Sequence, residues 1–133
     1  MVFIVDDEES VRDGFCLLLQ SACLPHRAFH SAKQFLAEMD PQEEGCILLD
    51  ITMPQMTGLE LQQELKRRKF DLPVIAISAR DDANTSMLAE QLGARFFFRK
   101  PVDGQALIDA IRWVCRSHDR DAVTNAETRE KNQ

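Results

Sequence analysis

The chain of 133 residues fits one domain, and 44% hydrophobic against 29% charged residues is a globular balance rather than that of a disordered chain. With 16 basic against 22 acidic residues the formal charge is -6, which disfavours unaided binding to nucleic acid or to an anionic membrane. No apolar run reaches the length of a membrane span. The N-terminus passes from Met1-Val2-Phe3-Ile4-Val5 directly into Asp6-Asp7-Glu8-Glu9, without the basic start and cleavage site of a signal peptide, so a cytoplasmic location with no membrane partner is expected.

Short apolar runs alternate with amphipathic stretches. The first run, near residues 2–6, ends in acids. A helical period follows near residues 10–22, with Val11, Phe15, Leu18, Leu19 and Ala22 on one stripe. His26-Arg27-Ala28-Phe29, within residues 25–29, reads as a weaker strand nearer an edge. Ser31 precedes Gln34 by three residues, a capping-box spacing that opens a helix near 32–39. Cys46-Ile47-Leu48-Leu49, within 45–50, is the next strand and ends at Asp50. Thr57 and Glu60 repeat the capping-box spacing before a helix near 58–68. Val74-Ile75-Ala76-Ile77, within 73–78, ends at Ser78, and a helix near 83–92 should stop at Gly93. Phe96-Phe97-Phe98, within 95–99, runs into Arg99-Lys100-Pro101, and Asp103 caps a last helix near 104–116 whose stripe is Leu107, Ile108, Ile111, Val114 and Cys115.

Five strand–helix repeats predict a three-layer α/β domain, a doubly wound parallel five-stranded sheet with helices on both faces. The domain is expected over residues 1–117, followed by a polar tail or linker over 118–133. Cys16, Cys23, Cys46 and Cys115 form no C-x-x-C pair and lie among apolar residues, which predicts buried, reduced thiols.

Ligands of such a sheet collect at the carboxyl ends of its strands. Those ends carry Asp6 and Asp7, Asp50, Ser78 and Lys100. Singly, each has an ordinary explanation as a cap, a turn former or a solvated charge. Together at one edge they imply converging carboxylates, which a divalent cation such as Mg²⁺ would relieve. The Asp50 carboxylate could then act as a nucleophile toward a phosphoryl group, with Lys100 and the Ser78 hydroxyl neutralising the transferred oxygens.

Four motifs in order, Val5-Asp6-Asp7, Asp50-Ile51-Thr52-Met53-Pro54 with Gly58, Ile77-Ser78-Ala79, and Gly93-Ala94 through Lys100-Pro101, resemble the receiver domains of two-component response regulators. The resemblance runs from Val2 to about Cys115 and implies the CheY-like, flavodoxin-like strand order 2-1-3-4-5. By resemblance, Asp50 is the phosphoacceptor. Asp7 and, through water, Asp6 hold Mg²⁺ with Asp50 and the Thr52 backbone carbonyl. Ser78, Lys100 and the backbone N–H groups of Ile51 and Ala79 bind the phosphoryl oxygens, and the bond before Pro101 is cis. Ser78 and Phe97 form the switch, with a simple buried Phe96-Phe97-Phe98 strand as the plain alternative. Ser78 stands where threonine is commoner, Phe96 where a small or polar residue is usual, and Arg80 and Thr52 occupy positions that influence phosphoryl lifetime.

The resemblance further implies a sensor histidine kinase as phosphodonor, and a homodimer or effector contact through the face of the fourth helix, fifth strand and fifth helix. Ser10-Val11-Arg12-Asp13 and the motif spacing are most similar to receivers of FixJ/LuxR-type transcription regulators. DNA would then be reached only through an output domain that these residues lack. A free-standing receiver acting in a relay or by docking is the alternative. A pseudo-receiver is disfavoured because every phosphorylation residue is present. A phosphohydrolase of the haloacid-dehalogenase type is disfavoured because Thr52 stands where a second Asp is needed. The expected role is that of a switch protein rather than an enzyme.

Overall fold

The computed structural model describes residues 1–53, 56–79 and 83–116; the expected tail over 118–133 and Arg80 lie outside them. Strands and helices alternate as β1 (Val2–Val5), α1 (Glu9–Ser21), β2 (His26–Phe29), α2 (Ala32–Glu38), β3 (Cys46–Asp50), α3 (Gly58–Arg67), β4 (Val74–Ser78), α4 (Ala83–Gln91) and β5 (Ala94–Arg99). A fifth helix, α5, covers residues 104–116. All strand pairs are parallel, in the order β2-β1-β3-β4-β5, so the sheet matches the expected one and β2 is indeed at an edge.

Successive strand residues point to opposite faces, and both faces are covered. Phe3, Val5, Ile47, Leu49, Val74 and Ala76 pack with Ala32, Phe35, Leu61, Leu65 and Ala89 of α2, α3 and α4. Val2, Ile4, Leu48, Ile75 and Ile77 pack with Leu19 of α1 and Leu107, Ala110, Ile111 and Val114 of α5. Phe29 and Phe35 meet edge to face with centroids 5.2 Å apart, a favoured aromatic geometry.

Helix ends follow the local rules. Ser31 Oγ accepts from Gln34 N–H at 3.1 Å and Thr57 Oγ1 from Glu60 N–H at 3.2 Å. Asp103 Oδ1 accepts from Gln105 N–H at 3.0 Å. Gly93 takes φ 103°, as its place after α4 predicts. The ends of α1 and α3 use non-glycine residues in the left-handed region, Cys23 (φ 57°) and Lys69 (φ 62°). There Leu24 N–H reaches back to Leu19 O at 2.9 Å, and Phe70 N–H to Leu65 O at 3.0 Å.

Three expectations need correction. Cys23 is exposed because that left-handed position carries it past the end of α1; only Cys46 is fully buried, while Cys16 and Cys115 are half-buried, and none of the four is in a disulfide. On α1 only Leu19 is fully buried, since Val11, Phe15 and Leu18 line an apolar groove against Pro101, Val102 and Gly104. Phe96, Phe97 and Phe98 are each only partly buried, and they divide between the two faces. A bulge shifts the β4–β5 register from Val74↔Ala94 to Ile75↔Phe96, leaving Arg95 extra. It places Phe97 beside Ala76 on the α3–α4 side, and Phe96 and Phe98 on the α5 side.

Gly58 lets the start of α3 close on the end of β3. A Cβ there would lie 2.4 Å from Ile51 Cα and 2.6 Å from the Asp50 carbonyl oxygen, both backbone atoms that cannot yield cheaply. Gly58→Ala is expected to destabilise the fold by about 1–3 kcal/mol in urea unfolding, the usual cost of overpacking.

Candidate phosphoacceptor site

The parallel sheet brings the chemistry to one edge. Val5 pairs with Leu49, so Asp6 and Asp50 follow side by side on adjacent strands. Asp50 pairs with Ile77, placing Ser78 one step on, and Ser78 pairs with Arg99, so that Lys100 comes next. Asp6, Asp50 and Ser78 are buried at 1%, 3% and 0% exposure, whereas Asp7 has left the strand and is exposed.

One oxygen from each of Asp6, Asp7 and Asp50 lies within 4.8 Å of the others. Lys100 Nζ sits 3.2 Å from Asp6 Oδ2 and 3.6 Å from Asp50 Oδ2. The Lys100–Pro101 peptide is cis, and Lys100 N–H donates to the Ser78 carbonyl at 2.8 Å. Asp6 Oδ1 accepts from Glu8 N–H at 2.9 Å, which turns the chain into α1. Asp50 Oδ1 accepts from both the N–H (3.0 Å) and the hydroxyl (2.8 Å) of Thr52. Arg12 Nη1 donates to the backbone carbonyl of Asp6 at 2.7 Å.

Burial and charge oppose each other here. Burial drives the Asp6 carboxyl above its ordinary range; the Glu8 N–H works against this and the neighbouring Asp50 charge adds to it. Burial lowers the Lys100 ammonium, yet the Asp50 and Asp6 charges outweigh it and hold the amine above its usual value. One lysine cannot neutralise three carboxylates. Asp6 Oδ2 is buried, and among the described residues its one close polar neighbour of opposite charge is the Lys100 ammonium. A buried carboxylate oxygen beside two further carboxylates suits a hard divalent cation that takes oxygen ligands and keeps several waters, as Mg²⁺ does.

Asp6, Asp7, Asp50 and Lys100 thus converge as the sequence suggested, with Ser78 buried at the end of the adjoining strand. The Ile51 N–H, expected to face a phosphoryl group, donates instead to the Ile77 carbonyl at 3.0 Å and belongs to the sheet ladder in this state. Phe97 lies away from the cluster, packed against the α3–α4 core. Two roles were missed. Thr52 was singled out for its carbonyl, yet its hydroxyl and N–H hold Asp50; a hydroxyl two residues after an Asp at a strand end is the available signal. Arg12 had no signal in the sequence, because its contact to Asp6 depends on how α1 leaves the sheet.

Comparison with known proteins agrees with this geometry. The response regulator receiver domain model matches residues 2–112. The chain is 46% identical over 110 residues to the transcriptional regulatory protein TdiR of Thauera aromatica, covering 83% of this chain and 48% of that protein. It is 38% identical over 111 residues to the transcriptional regulatory protein FixJ of Azorhizobium caulinodans, covering 84% of this chain and 53% of that one. The chain therefore spans about half the length of these curated relatives. Among solved structures, the response regulator StyR superposes with a TM-score of 0.86 at 37% identity, over 98% of this chain and 65% of StyR. The crystal structure of FixJ-N superposes with a TM-score of 0.81 at 33% identity, over 86% of this chain and 92% of FixJ-N. With its sheet order, its acidic strand ends and this match over most of its length, the chain belongs to the response regulator receiver domain family.

Proposed function

We propose that this receiver accepts a phosphoryl group from a sensor histidine kinase on Asp50 in a Mg²⁺-dependent reaction and thereby switches its output surface. The observation that carries the reading is the buried Asp50 carboxylate, held at Oδ1 by Thr52 and facing Lys100 through Oδ2, inside a cluster with Asp6 and Asp7. Asp6, Asp7, Asp50 and the Thr52 carbonyl would hold Mg²⁺, whose chemistry when bound is to neutralise charge on the carboxylates and on the transferred oxygens.

Thr52 fixes the plane of the nucleophile, and Oδ2 of Asp50 attacks phosphorus in line with the departing group. The new Asp50 O–P bond forms as the P–N bond of the kinase's phosphohistidine breaks and the imidazole leaves with the electron pair. Lys100, the Ser78 hydroxyl and the Ala79 N–H bind the phosphoryl oxygens; Ile51 contributes only if its amide is shared with Ile77. Drawing Ser78 toward the dianion opens space near β4 and β5. Phe97 on the α3–α4 side then repacks, favouring one of two packings that already exist.

The output surface is the α4–β5–α5 face, where Met87, Leu88 and Trp113 are exposed. It forms a homodimer or meets an effector. The similarity to TdiR and FixJ supports a place as the N-terminal regulatory domain of a transcriptional regulator in the cytoplasm, with DNA contacted through an output domain outside these residues. Residues 118–133 then serve as tail or linker. No described helix is long and apolar enough to cross a membrane.

Incubation with a small-molecule phosphodonor, read by intact mass, is expected to add one phosphoryl group in the presence of Mg²⁺. No addition is expected after chelation or in Asp50→Asn; Mg²⁺-independent addition, or addition to Asp50→Asn, would contradict the reading. A second expectation concerns pH. The folded-state value of Asp6 lies above its ordinary 3.8, so without Mg²⁺ the fold loses stability as pH rises from 3.8 through that raised value. Urea midpoints should show this decline in the wild type, a flatter profile in Asp6→Asn, and recovery of the wild type on adding Mg²⁺.

A further inference from the structure

Asp7 is the least supported of the three acidic residues. It is exposed, belongs to neither β1 nor α1, and among the described residues no group hydrogen-bonds its carboxylate. Asp6, by contrast, is tied at its N–H to Phe29 O (3.2 Å) and at Oδ1 to Glu8 N–H (2.9 Å). What orients Asp7 is therefore the peptide unit joining it to Asp6. The carbonyl of that unit is the one that accepts from Arg12 Nη1 at 2.7 Å, reached from the first turn of α1 by a half-buried guanidinium.

A peptide unit is planar, so fixing its carbonyl fixes the direction in which the chain arrives at the Asp7 Cα. The bond is short and charge-assisted, which makes it a firm tie. Its acceptor also matters. A guanidinium bonded to a carboxylate would occupy oxygens that a cation needs, whereas here the positive charge rests on a backbone carbonyl and the three carboxylates stay available.

We propose that Arg12 is a positioning residue for the cation site, acting through the Asp6–Asp7 peptide to present the Asp7 carboxylate. The proposal rests on the reading of Asp6, Asp7 and Asp50 as the Mg²⁺ site. It makes a distinction in sign. If Arg12 acted only as a nearby positive charge, removing it would strengthen Mg²⁺ binding by lessening repulsion. As a positioning residue, its removal weakens binding.

The test is calorimetric titration of MgCl₂ into the wild type, Arg12→Gln, Arg12→Lys and, as a destabilised control remote from the site, Phe35→Leu. The expected result is a dissociation constant about tenfold higher in Arg12→Gln, the scale on which loss of supporting contacts weakens metal sites. Arg12→Lys, which keeps the charge but not the planar fork, falls between. Phe35→Leu melts earlier yet binds Mg²⁺ as the wild type does. In phosphorylation assays the Arg12 variants need more Mg²⁺ for half-maximal rate and approach the wild-type rate at saturation. Equal or tighter Mg²⁺ binding in both Arg12 variants, beside a binding wild type, overturns the role of Arg12 alone. A wild type that binds no Mg²⁺ overturns the cation site and the role of Arg12 with it.

Discussion

Three carboxylates at the end of an apolar sheet, with one lysine among them, set the terms for this structure. Like charges within 4.8 Å repel strongly where burial removes the screening of water. The neighbouring groups each offset part of that strain. Glu8 N–H and the two donors of Thr52 hold individual carboxylate oxygens, and Lys100 supplies a positive charge beside Asp6 and Asp50. The remaining deficit, visible in the raised Asp6 carboxyl, is one that a divalent cation would relieve.

The same architecture holds its central strands and its fourth helix in different ways. β1, β3 and β4 are buried on both faces and fix the acids by register. α4 is anchored differently: among its described side chains only Ala89 is fully buried, and Met87 and Leu88 face outward. Two side chains of α3 grip its carbonyls, Gln62 Nε2 on Ala89 O at 3.1 Å and Lys66 Nζ on Gln91 O at 3.4 Å. Gln62 is itself buried with Oε1 lacking a partner, so this grip carries a desolvation cost. Phe97 packs on that same side of the sheet.

Much of this was legible in the residues. Apolar runs that stop abruptly at Asp6, Asp50 and Ser78 marked strand ends, because a strand buried on both faces is apolar along its length and a polar side chain falls at its end. Ser31, Thr57 and Asp103 marked helix starts through donors that need a local acceptor. What escaped depends on neighbours distant in sequence. The extra residue at Arg95 is defined only by the pairing of β5 with β4, and without it the alternation would place Phe97 on the wrong face. The exposure of Cys23 depends on a left-handed end to α1 that no glycine announces. The engagement of the Ile51 amide with Ile77, like the reach of Arg12 to Asp6, exists only once sheet and helix are assembled.

The claim at the centre of this account is that the strand-end trio is the cation site. The chain also carries a competing acidic surface patch of Asp40, Glu43 and Glu44. Amide-resolved NMR during a MgCl₂ titration separates the two directly. The account predicts saturable shifts centred on Asp6, Asp7, Ile51, Thr52 and Ala79, with the amides of Asp40 to Glu44 little changed. Shifts that track the Asp40–Glu44 patch, or that spread over the surface without saturating, would contradict it.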